Sequence, residues 1–220
     1  MHRTAAVLTG LAVAIGLAAP ASAAPDAAGD IRLVSKRLGG GAANGDSDDV
    51  DVSRTGRLVA FTSEASNVVA DDDNELADVL VRDRHARTTT LVSAAPDGTV
   101  GNSQSGSPSI SANRRYVAFD SFASDLVDGE DEPLTSDIFV RDLETGLTTA
   151  VSVDVDGAAP DGPSFSPAIS AAGTRVTFWS SASDLVPGDA NGFDDIFVRD
   201  LAAGTTERVS VSTTGGTATR

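Results

Sequence analysis

Two seven-residue segments carry oxygen atoms at the spacing of a calcium-binding loop. Asp72-Asp73-Asn74-Glu75-Leu76-Ala77-Asp78 and Asp189-Ala190-Asn191-Gly192-Phe193-Asp194-Asp195 both read D-x-N-x-x-x-D. The candidate ligands are therefore Asp72, Asn74 and Asp78 in one segment and Asp189, Asn191 and Asp195 in the other. Calcium favours such hard, oxygen-only sets, completed by carbonyls and water. The match to an EF-hand loop is partial, because Leu76 and Phe193 stand where a fifth-position oxygen belongs. A related stretch, Asp131-Glu132-Pro133 ahead of Asp137, has proline in place of asparagine and one extra residue. The same residues have a second reading, in which the aspartates accept backbone N–H bonds and the asparagines occupy turn positions. Calcium is the one cofactor this sequence suggests.

Other reactive types are sparse. His85 is the only histidine beyond residue 2, and it falls in a tight turn opposite Glu144 and Ala202 of related segments. No Gly-x-Ser-x-Gly elbow exists to present a serine nucleophile. Arg82-Asp83, Arg141-Asp142 and Arg199-Asp200 recur regularly, which fits structural ion pairs between neighbouring units. Trp179 and Tyr116 sit in apolar runs and are expected to pack between units, with Trp179 also able to serve as a stacking platform. Active sites break the symmetry of a repeat with unique catalytic groups, and none stands out here. A binding module is expected, not an enzyme.

The formal net charge is -16, which disfavours a nucleic-acid partner. Arg3 precedes an apolar run from Ala5 to Ala19, and Ala21-Ser22-Ala23 supplies small residues for cleavage. Residues 1–23 therefore read as a signal peptide of a secreted protein, with a linker over 24–30. No other stretch reaches the length of a membrane span. The chain has no cysteine, hence no disulfide and no thiol for a lipid anchor.

The elements that must position these loops repeat. Val34-Ser35, Val92-Ser93, Val151-Ser152 and Val209-Ser210 recur at 58 or 59 residues, as do Phe61, Phe119 and Phe178. Asp-Val-Leu-Val-Arg-Asp from Asp78 recurs as Asp-Ile-Phe-Val-Arg-Asp from Asp137 and from Asp195. A fixed period of this size means stacked supersecondary units. Turn residues bound four short strands per unit, in the last one Pro167 to Ser170, Arg175 to Ser180, Asp195 to Arg199 and Thr206 to Val211. Four antiparallel strands per period predict an all-β chain of propeller blades.

At these residues the sequence resembles the TolB-like, WD-repeat-like β-propeller family. Ser166 to Ser180 followed by Asp194-Asp195-Ile196-Phe197-Val198-Arg199-Asp200 is similar to its S-P-D-G, I-A-F-x-S and D-I-Y-x-x-D signatures. Arg54, Ala112 and Ala171 depart from it where the aspartate of S-P-D-G belongs. The resemblance implies propeller repeats over 31–212, with blades at about 48–93, 107–152 and 165–211, and a tail over 213–220. It implies a fold rather than an activity, since such propellers include scaffolds, partner domains of peptidases and polysaccharide-degrading enzymes.

Three blades make an incomplete ring, with Ile31 to Ser35 as a spare outer strand. Two uncovered sheet faces would remain, which predicts self-association, for instance as a six-blade head-to-tail dimer. The long loops gather on one face and hold well over half of the 32 acidic residues. The tight turns opposite hold Arg54, Arg57, Arg84, Arg87, Arg114, Arg115 and Arg175. The expected function is a secreted binding or scaffold module that presents the acidic face to a protein, peptide or glycan. The competing expectation is a propeller-based polysaccharide lyase or hydrolase, or a fragment of a larger propeller protein.

Overall fold

The computed structural model describes residues 31–128 and 135–212. The leader and linker expected over 1–30, the tail over 213–220 and the Asp131-Glu132-Pro133 stretch lie outside the described residues. From Leu33 onward the chain forms one compact unit. No described helix is long and apolar enough to cross a membrane.

Among the described residues twelve strands form three antiparallel sheets. The first blade holds β1 (Ser47–Val52), β2 (Leu58–Ser63), β3 (Asp78–Asp83) and β4 (Thr88–Leu91) in the order β1-β2-β3-β4. The second holds β5 (Ser105–Ile110), β6 (Tyr116–Ser121), β7 (Asp137–Asp142) and β8 (Thr148–Ala150), and the third β9 (Ser164–Ile169), β10 (Arg175–Ser180), β11 (Asp195–Asp200) and β12 (Thr205–Arg208), each again in sequential order. These are three propeller blades, and the chain is all-β as the period required. The first strands β1, β5 and β9 contact one another along the array.

Apolar residues on both faces of the central strands make the blades stack. Ala60, Val79, Val81 and Val92 of blade 1 pack on Val117, Phe119, Leu126 and Phe139 of blade 2. Ala118, Ile138, Val140 and Val151 of blade 2 pack on Val176, Phe178, Leu185 and Phe197 of blade 3. Burying such side chains contributes roughly 1.5–3 kcal/mol each.

Side chains end and tie the strands. The last strand of each blade stops at the Val-Ser pair because the serine hydroxyl takes over the next ladder position. Ser93 Oγ accepts the Val79 N–H at 3.0 Å and donates to Asp78 at 2.7 Å. Ser152 does the same for Ile138 and Asp137, and Ser210 for Ile196 and Asp195. Each tight turn after a first strand is closed by its serine, with Ser53, Ser111 and Ser170 accepting the N–H of Leu58, Tyr116 and Arg175. Every first strand carries a bulge, with Asp49, Ser107 and Ser166 at φ of 42°, 50° and 53°. Laterally, Ile110 N–H donates to Asp51 of the preceding blade and Ile169 N–H to Ser109.

Three expectations need correction. Residues 31–35 form no strand; Lys36 instead makes an isolated bridge to Ala42. The two sheet ends are not equally bare: Phe61 and Leu80 at the blade 1 end are buried, with Val34 and Ala43 packed against their cluster. At the other end Ile196 and Val209 are 43% and 45% exposed, whereas their counterparts Ile138 and Val151 are fully buried. Finally, the recurring Arg-Asp neighbours do not bridge blades as ion pairs. Successive strand residues point to opposite faces, so Asp83, Asp142 and Asp200 pair within their own blade with Arg57, Arg115 and Arg175. Arg82, Arg141 and Arg199 bind the threonines Thr89, Thr148 and Thr206 instead, and only Arg141 reaches across a blade boundary, to the Ala94 carbonyl.

Candidate functional site

The bulge in β1 turns Asp49 toward the neighbouring blade, where β5 and β6 present Gly106 and Asp120. A Cβ built on Gly106 would lie 3.6 Å from Asp120 Oδ1 and 3.9 Å from both Asp49 Oδ2 and Thr62 Oγ1. Three oxygens thus converge on a space left open by a missing side chain. In blade 3 that position holds Phe165, whose ring lies 4.8 Å from Trp179. Thr62 Oγ1 is buried and has no hydrogen-bond partner. Buried polar groups are nearly always bonded, so this hydroxyl is free to bond a group that enters from outside.

This cradle belongs to a recess of about 330 Å³ between blades 1 and 2, whose wall also includes Asp46, Asp48, Glu64 and Phe122. Among the described residues no lysine, arginine or histidine lines it. Burial pushes the Asp120 carboxyl up, opposed by bonds from the Ser166 N–H and the Ser107 side chain, with Asp49 raising it further. Phe122, Phe165 and Trp179 make a half-buried aromatic row beside it, at centroid spacings of 5.9 and 4.8 Å. Such a combination, carboxylates with one uncommitted hydroxyl next to aromatic faces, suits an ammonium or guanidinium group.

A larger cavity, about 460 Å³, opens on the short-turn side around Arg57, Asp83, Arg114, Arg115, Arg141 and Glu144. Its cations are mostly engaged internally. Arg57 holds Asp83 at 2.7 Å and Arg115 holds Asp142 at 2.7 Å and Glu144 at 3.3 Å. His85 is exposed in the β3–β4 turn, its backbone N–H on Asp83.

In the D-x-N-x-x-x-D segments each asparagine meets the last aspartate, but as a donor. Asn74 gives its amide to Asp78 at 3.2 Å and to the Gly101 carbonyl at 3.1 Å, while its oxygen accepts the Leu76 N–H. Asn191 likewise donates to Asp195 at 2.7 Å and accepts from the Phe193 N–H. The carboxylates differ between blades. In blade 3, Arg208 Nη1 lies 2.6 Å from Asp189 and 3.2 Å from Asp195. In blade 1 the buried Asp78 is pushed up to about 6, by burial first and also by the nearby Asp72, against bonds from Ser93 and Asn74. Among the described residues no group of three or more histidine, cysteine or acidic side chains is poised around a common metal position.

Sequence reasoning missed the cradle. Its parts come from β1, β2, β5 and β6, and the decisive residue is a glycine that contributes no group at all.

Among solved structures the chain is similar to TolB from Acinetobacter baumannii, at 13% identity and a TM-score of 0.47 over 78% of this chain and 34% of that one. It is also similar to a TolB-type protein from Agrobacterium tumefaciens, at 14% identity and a TM-score of 0.44 over 73% and 63% of the two chains. An oligogalacturonate lyase from Vibrio parahaemolyticus is a third, at 13% identity and a TM-score of 0.43 over 71% and 37%. The chain spans about a third of the Acinetobacter protein it is similar to. No protein-family model matches the sequence, and none of the curated proteins matches it. The likeness is one of fold alone.

Proposed function

We propose that the chain is a secreted propeller-type binding scaffold, without catalytic activity of its own, whose acidic recess takes a basic side chain of a protein or peptide ligand. One observation carries the reading: the buried, unpartnered Thr62 hydroxyl converges with Asp49 and Asp120 on the open space above Gly106. A lysine or arginine entering there would gain charge-assisted bonds to two carboxylates and aromatic contact with Phe122. Residues 1–23 act as the export leader, which mass analysis of the secreted product would test by a start near Ala24.

Titration of the full chain with a short lysine-rich peptide is the direct test. Binding is expected at low ionic strength and weakens with salt. Asp120→Asn and Gly106→Phe should each weaken it by about tenfold, or ~1.4 kcal/mol, whereas Asp156→Asn, an exposed acid elsewhere, should leave it unchanged. Equal loss in all three variants would reduce the interaction to general surface charge. Release of unsaturated or reducing ends from acidic polysaccharides would overturn the non-enzymatic reading.

A further inference from the structure

The blades differ at one cross-strand position of their first two strands, at the long-loop end. In blade 1 the pair is Asp48 opposite Thr62, in blade 2 Gly106 opposite Asp120, and in blade 3 Phe165 opposite Trp179. Two residues beyond the second member stand Glu64, Phe122 and Ser181. Directly opposed residues of a strand pair share a face, so these positions line one surface blade by blade. That surface is acidic at blade 1, holds the open cradle at blade 2 and is aromatic at blade 3.

The aromatic part is continuous with the recess. Phe122 stands in the recess wall. The Phe165 ring lies 5.9 Å from Phe122 and the Trp179 ring 4.8 Å from Phe165, and all three are half-buried. Asp120 fixes the junction, because its Oδ2 accepts the N–H of Ser166, the residue after Phe165, at 3.0 Å. A cross-strand aromatic pair stiffens its own hairpin. Phe122, however, comes from another blade, and together the rings leave apolar surface uncovered beside two carboxylates and the unpartnered Thr62 hydroxyl. Apolar surface that runs into a recess with a few convergent polar groups has the form of a ligand groove.

Building on the recess reading above, we infer that the recess and the aromatic row are one groove for an extended peptide segment. A lysine or arginine enters the cradle, and an aromatic residue two or three positions away rests on Phe165 and Trp179. Ring steps of 5.9 and 4.8 Å match about three residues of extended chain, at roughly 3.3 to 3.6 Å each. Charge selects a peptide over a glycan: a neutral sugar stacks on rings but leaves Asp49 and Asp120 without a counter-charge, and an acidic sugar is repelled by them. Aromatic side chains attract one another in offset or edge-to-face contacts, which the tilted Phe165 and Trp179 rings offer.

Trp179 is the one tryptophan of the chain, so its emission reports on this end of the groove. The test is titration of the full chain with three end-blocked hexapeptides, followed by tryptophan emission and by calorimetry. One peptide carries a lysine and, three positions on, a phenylalanine; the controls replace the phenylalanine by alanine or the lysine by glutamine. The first should bind about tenfold tighter than either control. It should also shift the Trp179 emission, which the alanine control should leave unmoved. Phe165→Ala, with cooperative melting as the check that it folds, should erase the advantage of phenylalanine while the alanine control binds as before. Equal binding of the two lysine peptides with unmoved emission would overturn the inference and leave the recess reading standing. Failure of both lysine peptides to bind would overturn the two together. An equal emission shift with cellopentaose would overturn the peptide assignment in favour of a glycan.

Discussion

Ser93 stands between a backbone donor and a buried acid, accepting the Val79 N–H at 3.0 Å and donating to Asp78 at 2.7 Å. Ser93→Ala leaves both groups buried without that partner. Unsatisfied buried groups cost about 1–3 kcal/mol, and urea denaturation of the variant should read a loss in that range. Ser152→Ala should cost a similar amount, because Ser152 bonds Ile138 and Asp137 in the same way.

Acid should weaken the short-turn side first. Hydrogen bonding from Arg57 lowers Asp83 to about 2, and Arg115 lowers Asp142 to about 2. Both lie below their unfolded value, so their stabilisation is fully present above about pH 4 and is lost as the pH falls toward 2. Melting temperatures between pH 2 and 5 should fall more steeply in the wild type than in a double Asp83→Asn and Asp142→Asn variant. Parallel curves would remove these pairs from the pH response.

Gly173 sits in the β9–β10 turn at φ 72°, and a Cβ there would collide with the Tyr116 ring of blade 2. Gly173→Ala combines left-handed strain with that collision. A loss of about 1–3 kcal/mol is expected. Tyr116→Leu in the same background should recover part of it if the ring is the obstacle, which a double-mutant cycle would measure.

The outer face of blade 3 should drive dimerisation. Ile196, Val209 and Val211 are exposed there, and Phe193 adds to the patch. Because Phe61 and Leu80 at the opposite end are buried, with Val52 of β1 exposed there, the expected contact is blade 3 against blade 3 rather than a head-to-tail ring. Light scattering should register dimers at tens of micromolar, by analogy with other exposed apolar patches, and monomers for the Ile196→Lys and Val209→Lys pair. A wild-type chain that stays monomeric throughout would set this aside.

The blades were legible because their period is written in paired signals. Val92-Ser93, Val151-Ser152 and Val209-Ser210 mark strand ends, and the Asp78, Asp137 and Asp195 runs mark strand starts. The loops were legible in position and not in bonding. Spacing brings Asn74 near Asp78, but only the fold reveals that the Leu76 N–H claims the amide oxygen and aims the amide nitrogen at the acid. Arg208 could have been found earlier, as a charge standing where Leu91 and Ala150 are apolar. The cradle above Gly106 could not, since bulges in the first strands shift register without leaving a sequence mark.

The lateral bonds from Ile110 to Asp51 and from Ile169 to Ser109 run in one direction, each later blade donating to a side chain on the earlier one. The residue of blade 3 at that position is Ala168, opposite Thr177 as Ser109 is opposite Ala118. Alanine has no acceptor, so a unit arriving at blade 3 finds apolar surface but no hook at the first strand. Val34 and Ala43 pack against the Phe61 and Leu80 cluster at the other end and cover part of that face. Open-ended filaments need a donor face and a matching receiver on every copy, and this stack offers neither in full.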